Sequence, residues 1–163
     1  MQQPPITDPR PVAVVDDDIR FIRLIERILG LEGIRIQPIT TLDLDEAVRV
    51  IGENRCQAAL IDVYMYGDAL GFTLIERLRA SATTAKLPLI VTSGARREIG
   101  RKVDFLQQHD CGVLLKPFDP PELLAKLHEA VQVAVPIVEE APTISPISAS
   151  GSQLMSPLQG GQA

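Results

Sequence analysis

Five short apolar runs, separated by segments with helical spacing, constrain this chain more than any other feature. They are PVAVV (Pro11 to Val15), IRIQPI (Ile34 to Ile39), AALID (Ala58 to Asp62), LPLIVT (Leu87 to Thr92) and GVLL (Gly112 to Leu115). Each reads as a strand. Between them, apolar residues recur at helical intervals, as in Phe21, Ile25 and Ile28, in Ala47, Val50 and Ile51, and in Phe72, Ile75 and Leu78. Two helix starts are marked by capping signals: DLDE (Asp43 to Glu46) and DPPE (Asp119 to Glu122), the latter with Pro120 at the first helical position. The first, third and fourth runs are apolar nearly throughout rather than alternating. Such strands are covered on both faces, so the pattern predicts a doubly wound α/β fold around a parallel sheet.

A length of 163 residues, 45% hydrophobic and 23% charged, suits one globular domain with a sizeable core. After Val135 the composition turns to Pro, Ser and Gly without periodicity, so residues 136–163 are expected to form a flexible tail. Its scattered apolar residues, Ile144, Ile147, Leu154, Met155 and Leu158, leave a short docking peptide as the alternative. Residues 1–10 read as an N-terminal extension and 11–135 as the domain. A net charge of −5 argues against a general nucleic-acid or anionic-membrane binder. With neither a signal-peptide core nor an apolar run of bilayer length, a cytoplasmic protein is expected. Cys56 and Cys111 lie outside any CxxC pattern and read as reduced thiols, while His109 and His128 show no metal-ligand spacing.

In an open α/β sheet, ligands bind beyond the carboxyl ends of the strands. The first run ends at Asp16 and Asp17, the third at Asp62, the fourth at Thr92 and Ser93, and the fifth at Lys116 before Pro117. One rim would then carry three carboxylates, a hydroxyl and an ammonium, a hard-cation site facing a phosphate-sized anion site. Taken singly, these residues have plainer readings. One of the three adjacent carboxylates Asp16, Asp17 and Asp18 serves as a helix cap, Ser93 caps a helix, or Lys116 is a surface lysine before a turn.

Four marks in this order, VVDDD, Asp62, VTSGA (Val91 to Ala95) and LLKPFDPPELL (Leu114 to Leu124), resemble the receiver domain of two-component response regulators, over roughly Pro11 to Val135. The resemblance is to a stand-alone, chemotaxis-type receiver. It implies a flavodoxin-like five-stranded parallel sheet of order 2-1-3-4-5 with helices on both faces. It further implies that Asp62 is the phosphoacceptor and that Mg²⁺ is the cofactor. Asp17 would be the direct ligand, Asp16 would act through water, and the Tyr64 backbone carbonyl would fill the third protein position. Ser93 and Lys116 would meet the phosphoryl oxygens. In relatives the bond before the Pro117 position is often cis. The implied partners are a histidine kinase or phosphotransfer protein upstream. Downstream, a protein or a second receiver would dock on the fourth helix, fifth strand and last helix, near the basic residues Arg96, Arg97, Arg101 and Lys102. On this sheet order Cys56 and Cys111 lie on strands separated by a third, too far apart for a disulfide.

The chain also departs from the family. Tyr66 stands where proline is usual four residues after the phosphoacceptor. Gly71 falls nine residues after Asp62 rather than eight, so the loop carries one extra residue. Val113 replaces the switch aromatic usually found three residues before the lysine. Two other function classes stay open at this point. One is a receiver-like binding module that no longer uses phosphate. The other is an aspartate-nucleophile phosphatase, for which Asp16 and Asp18 supply a D-x-D but no Gly-Thr follows.

Overall fold

The computed structural model describes residues 6–134, so the tail expected over residues 136–163, and residues 1–5 of the N-terminal extension, lie outside the described residues. The elements run β1 (Val12–Val15), α1 (Ile19–Leu31), β2 (Ile36–Ile39), α2 (Leu44–Glu53), β3 (Ala58–Asp62), α3 (Leu70–Ala80), β4 (Leu89–Ser93), α4 (Arg96–Arg101), α5 (Val103–Gln108), β5 (Cys111–Leu115) and α6 (Pro120–Ala134). All pairings are parallel, in the order β2-β1-β3-β4-β5. The α/β fold and strand order are those expected.

The central strands β1, β3 and β4 are buried almost end to end, which is why their sequences do not alternate. The edge strands are only partly covered. Pro38 lies in edge strand β2, where its missing N–H leaves no gap inside the sheet. Side chains leave the sheet alternately and form two cores. Ala13, Val15, Ala59, Ile61, Leu89 and Val91 pack with α2, α3, α4 and α5 on one face. Val12, Val14, Ala58, Leu60 and Ile90 pack with α1 and α6 on the other. Fully buried aliphatics such as Ile25, Leu74, Leu78 and Leu127 each contribute roughly 1.5–3 kcal/mol of apolar burial.

Local differences from the sequence reading have simple causes. In α1 the buried stripe is Ile22, Ile25 and Leu29 rather than Phe21, Ile25 and Ile28, which shifts two of its positions by one residue. Phe21 and Ile28 flank the stripe and are half-buried. The basic segment expected as one helix is divided at Lys102, whose backbone (φ −110°, ψ 13°) leaves helical geometry. The Lys102 ammonium stands 5.2 Å from the Phe72 ring centre and 5.9 Å from that of Phe105. Asp119 and Glu122 form a reciprocal capping box, each accepting from the other's amide at 2.8 Å. At α2, Asp43 caps the amides of Asp45 and Glu46, but the Glu46 carboxylate accepts from the Thr41 hydroxyl instead of reaching back. Both cysteines are free thiols; Cys56 lies just before β3 rather than on a strand. Burial pushes each thiol up to about 11, away from thiolate reactivity.

Candidate functional site

Strand register assembles the polar rim. Val15 pairs with Ile61, so Asp16 and Asp62, the next residue of each strand, leave the sheet at the same level. Asp62 pairs with Thr92, and Ser93 pairs with Leu115, so Ser93 and Lys116 emerge one step further out. The Lys116 amide donates to the Ser93 carbonyl at 2.8 Å, and the Lys116–Pro117 peptide is cis.

The three adjacent aspartates divide cleanly. Asp18 is the N-cap of α1 and accepts from the Arg20 amide at 2.9 Å. Asp16 is 1% exposed, and its Oδ1 accepts from the Asp18 amide at 2.8 Å. Asp17 lies between, half-buried, and its Oδ2 accepts from the Tyr66 amide at 2.7 Å. Carboxylate oxygens of Asp16, Asp17 and Asp62 all lie within 4.8 Å of one another. Three hard oxygen donors this close fit a small divalent cation such as Mg²⁺.

Lys116 bridges two of these carboxylates, donating at 2.9 Å to Asp16 Oδ2 and at 2.9 Å to Asp62 Oδ2. Burial holds the Asp16 carboxyl above the usual range, against the opposing pull of Lys116 and the Asp18 amide. Burial also draws the Lys116 ammonium down, but its bonds to Asp16 and Asp62 outweigh that and raise it overall. Ser93 is buried, and its Oγ accepts from the Ala95 amide at 3.0 Å, so the hydroxyl hydrogen stays free to donate elsewhere. The Tyr64 amide donates to Asp62 Oδ1 at 3.1 Å, which fixes the carboxylate from the loop side.

Of the residues singled out at this rim, Asp16, Asp17, Asp62 and Lys116 meet through their side chains, while Ser93 ends the adjacent strand β4 and Tyr64 follows Asp62 by two residues. Sequence reasoning missed one neighbour: Phe21, whose ring centre lies 3.9 Å from Lys116 Nζ and 6.0 Å from the ring centre of Phe118, the two rings being nearly perpendicular. The helical spacing places Phe21 only in the apolar stripe of α1 and gives no sign of its contact with Lys116. The extra loop residue is absorbed in a tight turn, where Met65 and Asp68 exchange backbone hydrogen bonds of 3.0 Å and Tyr66 (φ 54°) and Gly67 (φ 86°) occupy the centre. Gly71 then docks α3 on β3: a Cβ there would lie 2.4 Å from the Asp62 carbonyl oxygen and 2.6 Å from Val63 Cα. Val113 stands in the wall of a surface groove with Arg96, Leu115, Pro117 and Glu122.

Comparison with known proteins agrees with this arrangement. The family model described as the response regulator receiver domain matches residues 12–128. The transcriptional regulatory protein PrrA of Mycobacterium tuberculosis is 36% identical over 123 residues, which are 75% of this chain and 49% of PrrA. This chain spans about half the length of the curated relatives it matches. Among solved structures, the Vibrio cholerae chemotaxis protein CheY4 aligns with a TM-score of 0.63 at 21% identity, over 76% of this chain and 99% of that one. A CheY-like response regulator receiver domain protein from Methanospirillum hungatei gives 0.64 at 21% identity, over 78% and 97%. Both of these show the shared fold.

Proposed function

Because this chain belongs to the response regulator receiver family, a family of signalling modules rather than conventional enzymes, we propose that Asp62 is its phosphoacceptor. The observation that carries this reading is the Lys116 ammonium held at 2.9 Å from both Asp16 and Asp62, with Asp17 beside them. A cation already bridges the carboxylates where negative charge must accumulate.

In the proposed step an Asp62 oxygen attacks phosphorus. A P–O bond forms as the bond to the leaving imidazole of a phosphohistidine, or to the acetate of acetyl phosphate, breaks. Lys116 stays beside Asp62 and meets an equatorial oxygen of the transferred group, and the Ser93 hydroxyl donates to another. Asp17 directly, Asp16 through water, and the Tyr64 carbonyl would hold Mg²⁺. When bound, that ion offsets the repulsion between carboxylate and phosphoryl oxygens. The acyl phosphate is then lost slowly to water.

Receiver domains take phosphoryl groups from histidine kinases or phosphotransfer proteins, and this chain is proposed to do so in the cytoplasm, with residues 11–135 as the working unit and 136–163 as a flexible tail. Among the described residues no helix is long and apolar enough to cross a membrane. Its output is proposed to run through α4, β5 and α6 to a downstream protein or a second copy. Val113 offers no ring to bury, so movement of the loop after Ser93 carries the signal.

Incubation with acetyl phosphate and Mg²⁺, followed by mass measurement and peptide mapping, tests the proposal. One phosphoryl group is expected on Asp62, and Asp62→Asn should accept none. A group mapped to Asp16 would overturn the reading in favour of an aspartate-nucleophile phosphatase. No uptake by the intact chain would favour a phosphate-independent binding module.

A further inference from the structure

The three carboxylates of the site are not held alike. Asp16 is fixed by the Asp18 amide and Lys116, and Asp62 by the Tyr64 amide and Lys116. Among the described residues the Asp17 side chain has one hydrogen-bond partner, the Tyr66 amide at 2.7 Å. That single donor sits in an unusual place. Tyr66 has φ 54°, a left-handed conformation that glycine accepts freely and a tyrosine does not. Something other than backbone preference keeps a tyrosine there.

Its side chain supplies the reason. The Tyr66 hydroxyl donates to the carbonyl of Thr40, the residue following edge strand β2, on the far side of β1 from the loop's own strand. The ring thus ties the Met65–Asp68 turn across the mouth of the site. The same residue's amide meets Asp17 Oδ2 and so anchors a carboxylate that has an oxygen within 4.8 Å of those of Asp16 and Asp62. Charge-assisted bonds of this kind fix the orientation of a ligand carboxylate, and such partners strongly influence metal affinity.

Building on the proposed role of Asp17 as a direct Mg²⁺ ligand, we infer that Tyr66 is a positioning residue for it: the Tyr66 hydroxyl, anchored on Thr40, sets the loop so that the Tyr66 amide presents the Asp17 carboxylate to the cation. The tyrosine at this position and the extra loop residue then form one device, since the tight turn is what places the Tyr66 amide over Asp17.

Mg²⁺ titrations of the full chain, followed by backbone amide shifts to saturation, test this. Tyr66→Phe removes the hydroxyl alone and is expected to weaken Mg²⁺ binding about tenfold, with the melting temperature nearly unchanged. Tyr66→Gly should weaken binding as much or more while melting no lower than Tyr66→Phe, because glycine takes the left-handed conformation without strain. A purely structural role would instead move affinity and stability together. In an Asp17→Asn background, Tyr66→Phe should add almost nothing, since the two act through one carboxylate. Wild-type affinity in Tyr66→Phe, or losses from Tyr66→Phe and Asp17→Asn that multiply, would overturn the inference while leaving the metal site standing. Wild-type affinity in Asp17→Asn would overturn the metal assignment itself, and the inference with it.

Discussion

Arg79 and Lys116 are two half-buried cations at opposite ends of the same sheet, and their surroundings shift them in opposite directions from their ordinary values. At the amino ends of β4 and β5, Arg79 donates to the carbonyls of His109 at 2.9 Å, Ala85 at 3.1 Å and Leu87 at 2.7 Å. Burial pulls the Arg79 guanidinium below its ordinary value, and the nearby Cys111 and Asp110 do not reverse that. At the carboxyl ends, Lys116 meets two carboxylates, and these overturn the same burial penalty. Neutral acceptors satisfy a buried cation without stabilising its charge as an anion does, so Arg79 clasps the connections into β4 and β5. Lys116, by contrast, is bound to groups whose charge is costly without it. The amino end closes the fold; the carboxyl end concentrates charge.

The comparison can be broken most severely where fold and site coincide. Gly71→Ala would drive a methyl into the backbone of Asp62 and Val63. A loss of about 3 kcal/mol in chemical denaturation is expected, together with loss of acetyl-phosphate uptake, because the same backbone carries the Asp62 side chain. Normal stability in this variant would show that α3 can back away from β3.

Arg79→Met isolates the amino end. It keeps most of the side chain's bulk and strands three carbonyls, so about 2 kcal/mol of stability should be lost in urea denaturation. Phosphorylation and Mg²⁺ affinity should stay at wild-type levels. If they fell in proportion, the two ends would not be separate.

The smallest effect is expected from Asp16→Asn, with the opposite sign. Folding raises the Asp16 carboxyl above 3.8 through burial. The folded chain therefore binds that proton more readily than the unfolded one, and stability from this group is lost as pH rises through the folded value. Asparagine removes the buried negative charge, and Asp62 remains to hold Lys116. The variant should melt a few degrees higher than wild type at neutral pH, an advantage that fades as pH falls toward 3.8. It should also bind Mg²⁺ more weakly. A lower melting temperature at neutral pH would mean that the Lys116 bridge contributes more than burial costs.

The strands, their order of burial and the rim residues were legible because each depends on neighbours close in sequence. An uninterrupted apolar run marks a strand covered on both faces, and a polar residue ending it marks the rim, so Asp16, Asp17, Asp62, Ser93 and Lys116 could all be named. That one of the three adjacent aspartates caps α1 was legible from the apolar helix that follows, but that it is Asp18 was decided by the structure. What could not be read were contacts between side chains distant in sequence: Phe21 against Lys116, the Tyr66 hydroxyl on Thr40, and the three carbonyls around Arg79. Nor did the helical pattern foretell the break at Lys102, where the ammonium lies near two rings from different helices.

The sequence by itself determined a parallel α/β sheet and the set of charged groups at its carboxyl edge, since hydrophobic periodicity acts along the chain and places every strand end on the same rim. Only the tertiary structure decided how those charges are matched. Whether Asp16 is held by Lys116 or by a cation, and whether Asp17 turns toward its neighbours or away, depends on distances across three strands and a loop. Electrostatic and hydrogen-bond energies at that range change steeply with a few ångströms, which no spacing along the chain records.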